Sequence, residues 1–178
     1  MDQVQAIRPV TSAASARMRT VTWEDPLASA RTGATLSGID YLRAVAQGKL
    51  PPPPIALLLG FDIEEVDEGR VVFTAEAGEH LYNPIGVVHG GFAATLLDSA
   101  MGCAVHSLLP RGRGYTTLEI KVNFVRAIKL ESGTLRAVGT VVHMGGKIAT
   151  AEARLLDGEG RLCAHATTTC ILLAAPAG

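Results

Sequence analysis

The sequence predicts an α+β fold in which about six strands, the later ones antiparallel, curl around one long buried helix. Three observations predict it. Apolar residues occupy nearly every side of a helix running from Phe92 to Leu109, and Asp98 is its only formal charge. A helix that is apolar all round is enclosed by the rest of the protein, not laid on its surface. Outside that helix, from Phe61 onward, the apolar period is two, and the runs are punctuated by tight-turn residues. Ala149, Ala151 and Ala153 share one strand face, as do Ala164 and Ala166. Such small side chains let a helix axis come close to a sheet.

Residues 1–36 are polar, rich in Ala, Ser and Thr, and without period, so they read as a flexible arm. Residues 37–59 read as a short helical extension. Ser37 resembles an N-cap, with Asp40 three residues on. Ile39, Leu42, Val45 and Ala46 follow at helical spacing, and Gly48 ends the run. Pro51 to Pro54 form a short stiff spacer, because proline fixes φ and lacks the N–H. Residues Ile55 to Leu59 make one apolar turn, stopped by Gly60.

The main domain is expected over residues 60–174. Phe61, Ile63 and Val66 suggest a first strand, and Val71, Phe73 and Ala75 a second, joined by a turn at Asp67-Glu68-Gly69. The loop Asn83 to Gly91 then feeds the long helix, with Pro84 and Gly86 breaking regular structure. Leu118, Ile120, Val122 and Phe124 alternate with Glu119, Lys121 and Asn123, a half-buried strand. Strands from about 133 to 143, 148 to 156 and 161 to 173 complete the chain, around turns at Met144 to Lys147 and Asp157 to Gly160.

Bulk properties narrow the function. A chain of 178 residues suits one domain with a real core. A net charge of −1 supplies no general field for nucleic acid. The unbroken apolar runs fall short of the ~20 residues a membrane span needs. Asp2 and the lack of an apolar core near the N-terminus argue against a secretory signal. Arg8, Arg17 and Arg19 among Ser and Thr have some transit-peptide character, but Asp2 and the missing amphipathic period favour the arm. Cys103, Cys163 and Cys170 lie apart in apolar segments, which suits reduced core thiols in a cytoplasmic protein. His80, His89, His106, His143 and His165 lack metal-ligand spacing, and no dinucleotide or phosphate-loop fingerprint occurs, so no metal or cofactor is expected.

The chemistry concentrates at Asn83-Pro84-Ile85-Gly86-Val87-Val88-His89-Gly90-Gly91 and at Asp98. A carboxylate on a buried helix is costly unless something pairs with it or uses it. Asn-x-x-Gly-x-x-His-Gly-Gly followed by Asp seven residues later resembles the hotdog-fold acyl-CoA thioesterases of the phenylacetate-pathway type. The resemblance runs from about Gly60 to Leu173. It implies a sheet wrapped around the helix, an acyl-CoA substrate, and no cofactor. It implies that the Gly90 N–H and the Asn83 amide polarise the thioester carbonyl, with Gly91 leaving room for substrate. His89 would orient the loop or contact the sulfur, Asp98 would act as base or nucleophile, and Thr117 would hydrogen-bond the acid or its water. Arg126, Lys129 and Lys147, at strand ends or turns, are candidates for the CoA phosphates.

Singly, each residue has a plainer reading: Asn83 as a turn cap, His89 as a satisfied loop histidine, Thr117 as a strand threonine. Geometry adds a constraint. Gly90 and Asp98 are eight residues apart, roughly 12 Å along a helix axis. Catalytic contacts run at about 3 Å, so one carbonyl cannot touch both. If both act on one thioester, they come from two subunits of a homodimer, alone or within a tetramer. The alternatives are a hotdog hydratase or dehydratase and a non-catalytic acyl-CoA-binding protein.

Overall fold

The computed structural model describes residues 16–173. Three short helices come first: α1 (Pro26–Gly33), α2 (Gly38–Ala46) and α3 (Pro54–Leu59). Strands β1 (Phe61–Asp67) and β2 (Arg70–Glu76) form a hairpin. A 3-10 turn (Glu79–Leu81) leads to the long helix α4 (Gly90–Ser107). Then come β3 (Gly114–Phe124), β4 (Thr134–Met144), β5 (Ile148–Leu156) and β6 (Leu162–Leu173). All six strands lie in one antiparallel sheet, in the order β1-β2-β4-β5-β6-β3.

The sheet encloses α4. Leu96, Leu97, Ala100, Met101, Ala104 and Val105 of the helix are fully buried. Ala149, Ala151 and Ala153 of β5 and Ala164 and Ala166 of β6 are buried in the same core, so the small faces lie where a helix has to approach. At Gly139 in β4 the strand backbone comes close to the helix backbone. A Cβ there would sit 2.3 Å from the Ala100 carbonyl carbon and oxygen, inside any permitted contact.

Phe124, expected on the buried face of β3, is exposed at the strand's end, and two further features depart from the sequence expectation. Residues 26–33, within the expected flexible arm, form α1. Its signal is local: Asp25 caps the helix by accepting from the Leu27 N–H at 2.9 Å, and Pro26 stands at the first helical position. Only Ser29 of α1 is buried, so no apolar period announces it. Residues 1–15 of that arm lie outside the described residues. The second of these two is in β3, where Leu118 is exposed and not on the buried face. Thr117 pairs with Cys170 and Glu119 with Thr169, so Leu118 is the extra residue of a β-bulge. A bulge shifts the two-residue alternation, so that Tyr115 and Thr117 before it and Ile120 and Val122 after it are the partly buried positions.

Candidate functional site

The loop before α4 is held by its own backbone and by Asn83. The Asn83 N–H donates to the Val87 carbonyl at 2.8 Å, and the Gly86 N–H to the Asn83 carbonyl at 3.1 Å. The Asn83 side-chain oxygen accepts from the Ile85 N–H at 3.1 Å and the Val87 N–H at 3.3 Å. The turn-capping role is therefore real, and it occupies the amide oxygen while leaving the NH2 as a donor. The Val88 N–H donates to the Ile128 carbonyl and the His89 N–H to the Leu81 carbonyl, which tie the loop to its neighbours.

His89 is the N-cap of α4. Its Nδ1 accepts from the Gly91 N–H at 2.8 Å, which makes Nε2 the protonated nitrogen of the neutral ring. The Gly91 N–H is thus engaged, whereas the Gly90 N–H makes no hydrogen bond among the described residues. A free N–H at the positive end of an eighteen-residue helix suits a developing negative oxygen. Asn83, Gly90 and Arg126 line one cavity of about 410 Å³. Phe124 forms part of its wall, and a Cβ at Gly90 would come within 3.1 Å of the Phe124 ring.

Asp98 is half-buried, two turns further along α4. The Thr117 hydroxyl donates to its Oδ1 at 3.0 Å. The β3 bulge directly follows Thr117, so the irregularity sits beside this contact. Asp98 borders a second cavity, of about 460 Å³, together with Ser99, Cys103 and Tyr115. Burial, aided by the Asp98 charge, pushes the Cys103 thiol up to about 12, so it stays a protonated thiol and makes no nucleophile at neutral pH. Burial likewise holds the Tyr115 phenol well above its ordinary value.

One protomer therefore brings together Asn83, Gly90 and Arg126, and separately Asp98 and Thr117. It does not unite the two sets. Lys129 follows Ile128, whose carbonyl anchors the Asn83 loop, and it pairs loosely with Glu131 at 3.9 Å. Lys147 lies at the far end of β6, beside Leu172, whereas Arg126 lies beside Cys163. The stretch of strand between them is roughly 25–30 Å long at 3.3 Å per residue. Among the described residues no His, Cys, Asp and Glu cluster has the arrangement of a metal site. No helix among them is long and apolar enough to cross a membrane.

The sequence reading left the second cavity's outer wall unassigned. Tyr41 and Val45 of α2 and Pro52 and Pro53 of the spacer supply it. The signal was present but weak: Tyr41 and Val45 are four residues apart on one helix face.

Comparison with known proteins places the chain in a family and agrees with its fold. Residues 85–164 match the family model described as the thioesterase superfamily. A putative esterase of Halobacterium salinarum is 32% identical over 118 residues, covering 64% of this chain and 76% of that protein. The 1,4-dihydroxy-2-naphthoyl-CoA hydrolase of Escherichia coli is 24% identical over 135 residues, covering 76% of this chain and 94% of that one. A crystal structure of a putative thioesterase, a phenylacetic acid degradation-related protein of Ralstonia eutropha, superposes with a TM-score of 0.67 at 29% identity, covering 74% of this chain and 98% of that chain. With the motif, the enclosed helix and these relatives in agreement, the chain belongs to the thioesterase superfamily and is a hotdog-fold thioester hydrolase.

Proposed function

We propose that the protein hydrolyses acyl-CoA thioesters in active sites shared by two copies of the chain. Asn83 and the Gly90 N–H of one copy bind the carbonyl oxygen as negative charge develops on it. Asp98 of the other copy acts as general base on water or as nucleophile, and Thr117 orients it. His89 holds the helix N-terminus open by capping Gly91 and leaving Gly90 free. Arg126 and Lys129 lie near the donor loop, where CoA phosphates would need cations. Lys147 would reach the same CoA only from the second copy.

The observation that carries this reading is the division of the protomer. The donors line one cavity, the carboxylate borders another, and roughly 12 Å of helix rise separates them. The sheet edge supports a way to reunite them. β3 is an edge strand of eleven residues, and Leu118 (56% exposed) and Phe124 (57% exposed) stand along it. Unpaired edges of this kind invite another strand. Two β3 strands paired antiparallel about a two-fold near Ile120 would set Phe124, which covers Gly90, opposite the second copy's Thr116, next to its Thr117.

Thiol release from a panel of acyl-CoAs tests the proposal. Asp98→Asn should lower turnover by ~10²–10⁴, the range general-base catalysis contributes. Thr117→Val keeps the volume and removes one hydrogen bond to a charged group, worth about 1.5–3 kcal/mol, so a fall of about 10- to 100-fold in kcat/KM is expected. Near wild-type turnover in Asp98→Asn would sink the assignment. Loss of enoyl absorbance without thiol release would favour the hydratase chemistry, and tight binding with neither would favour a binding protein.

A further inference from the structure

The outer wall of the cavity beside Asp98 comes from a part of the chain that precedes the family-model match. The match begins at residue 85, whereas α2, the proline spacer and α3 span residues 38–59. This wall is fixed firmly. The Gly38 N–H donates to the Leu109 carbonyl at 3.0 Å, just past the end of α4. A Cβ at Gly38 would meet the His106 carbonyl oxygen at 1.8 Å, so backbone lies directly on backbone there. Leu42 is buried in the main core, and the Tyr41 ring packs edge-on to His106, with centroids 5.8 Å apart. The chain returns through Pro51 to Pro54, whose φ angles are locked.

The chemistry of the lining is as informative as its position. The faces supplied by α2, the spacer and α3 are apolar, and Phe61 and Phe73 pack edge-to-face at 5.6 Å on the sheet side. Asp62 and Asp98 are the acidic residues on the cavity, and among the described residues no Lys, Arg or His lines it. An apolar acyl group is stabilised by leaving water for such a space. A carboxylate at the far end of an acyl chain would lose its hydration with no cation to compensate, and would face two like charges.

Resting on the reading of Asp98 as the hydrolytic carboxylate, we propose that α2 and the proline spacer form the wall that selects the acyl group. They select for neutral, apolar acyl chains, set the longest one accepted, and reject dicarboxylic monothioesters. Val45, half-buried on α2 and facing the cavity, is the specificity-determining position.

The test uses the full chain, thiol release, and a straight-chain series from acetyl- to dodecanoyl-CoA, with succinyl-CoA as the anionic member. Val45→Trp narrows the cavity from the α2 side. Gln47→Trp, at the exposed C-cap of α2 outside the lining, controls for a new indole beside the same helix. In wild type, succinyl-CoA should be a poorer substrate than its neutral counterpart butanoyl-CoA by ~10-fold or more. In Val45→Trp, the ratio of kcat/KM for the longest well-used chain to that for acetyl-CoA should fall by ~10-fold or more, the least that misfit of a methylene in an apolar pocket costs. Gln47→Trp should leave that ratio at the wild-type value. The proposal is overturned if the ratio is unmoved in Val45→Trp, if Gln47→Trp moves it equally, or if succinyl-CoA matches butanoyl-CoA. Absence of thiol release from every acyl-CoA by wild type is a different result, and it would overturn the hydrolase reading itself.

Discussion

Mixing two inactive variants should regenerate activity, and the amount can be calculated from how the protomer divides its groups. One variant removes the donor at Asn83 and the other removes the carboxylate at Asp98. Asn83→Ala would also break the turn, because the Asn83 oxygen holds the Ile85 and Val87 N–H groups. Asn83→Asp keeps that acceptor and replaces the amide donor with a second carboxylate oxygen, which also repels a developing oxyanion, so it is the better lesion. Loss of one oxyanion donor costs ~10²–10³ in kcat, which puts each parent at roughly 1% of wild type or below. Asp98→Ala removes the base and should be at least as low. If subunits exchange freely at equal concentration, about half the dimers are mixed. Each mixed dimer holds one site with both lesions and one with neither. The mixture should therefore reach about a quarter of wild-type activity per subunit, some 25-fold above either parent. The assay is thiol release, with exchange verified by native mass spectrometry of differently tagged subunits. If exchange is complete and activity stays at the parental level, Asn83 and Asp98 serve the same subunit's site. The inference from helix rise and separate cavities would then be wrong.

Other outcomes follow from packing and charge. Gly139→Ala should destabilise the fold by ~1–3 kcal/mol or more in urea titrations, since its Cβ would overlap the Ala100 carbonyl in a closely packed core; an unchanged midpoint would show that α4 and β4 can part easily. Asp157 closes the β5–β6 turn with its side chain almost wholly enclosed. Burial alone would raise its carboxyl, but bonds from the Arg161 N–H, the Arg161 guanidinium and the Glu159 N–H outweigh this and hold it below its ordinary value. A lowered folded value means that its charge adds stability above the unfolded carboxyl value of ~3.9, and that this contribution disappears as pH falls through the lower folded value. Wild type should exceed Asp157→Asn in urea midpoint near neutrality, and the gap should begin to shrink only as pH falls below about 4; a gap that stays constant from neutrality into strong acid would refute the assignment. Deleting residues 1–36 should leave turnover of a short acyl-CoA within a few-fold of wild type, because the donor loop, Asp98 and the cavity wall all lie beyond residue 36; a large loss would give the arm a catalytic part.

The features the sequence determined by itself are those set by local periodicity. The helix α4 was legible because its residues are apolar on all sides, and Asp98 stood out as the one charge among them. The strands after residue 133 were legible from their two-residue period and their glycine turns, and antiparallel pairing followed from the shortness of those turns. Even the separation of Gly90 from Asp98 could be read off, because helix rise is fixed per residue. Features that depend on remote partners were not legible. That β3 crosses to pair with β6 and becomes an edge is decided by which faces can be buried together, and no local pattern encodes it. The bulge at Leu118 arises from the register of β3 against β6, so the clean alternation in the sequence pointed Leu118 the wrong way. His89 as the cap of α4 depended on a ring nitrogen meeting the Gly91 N–H, a contact outside the usual capping residues. The wall opposite Asp98 joins residues 41 to 53 to residue 98 across the core. Periodicity places a side chain on a face of its own element, but only the packing of distant elements decides what that face meets.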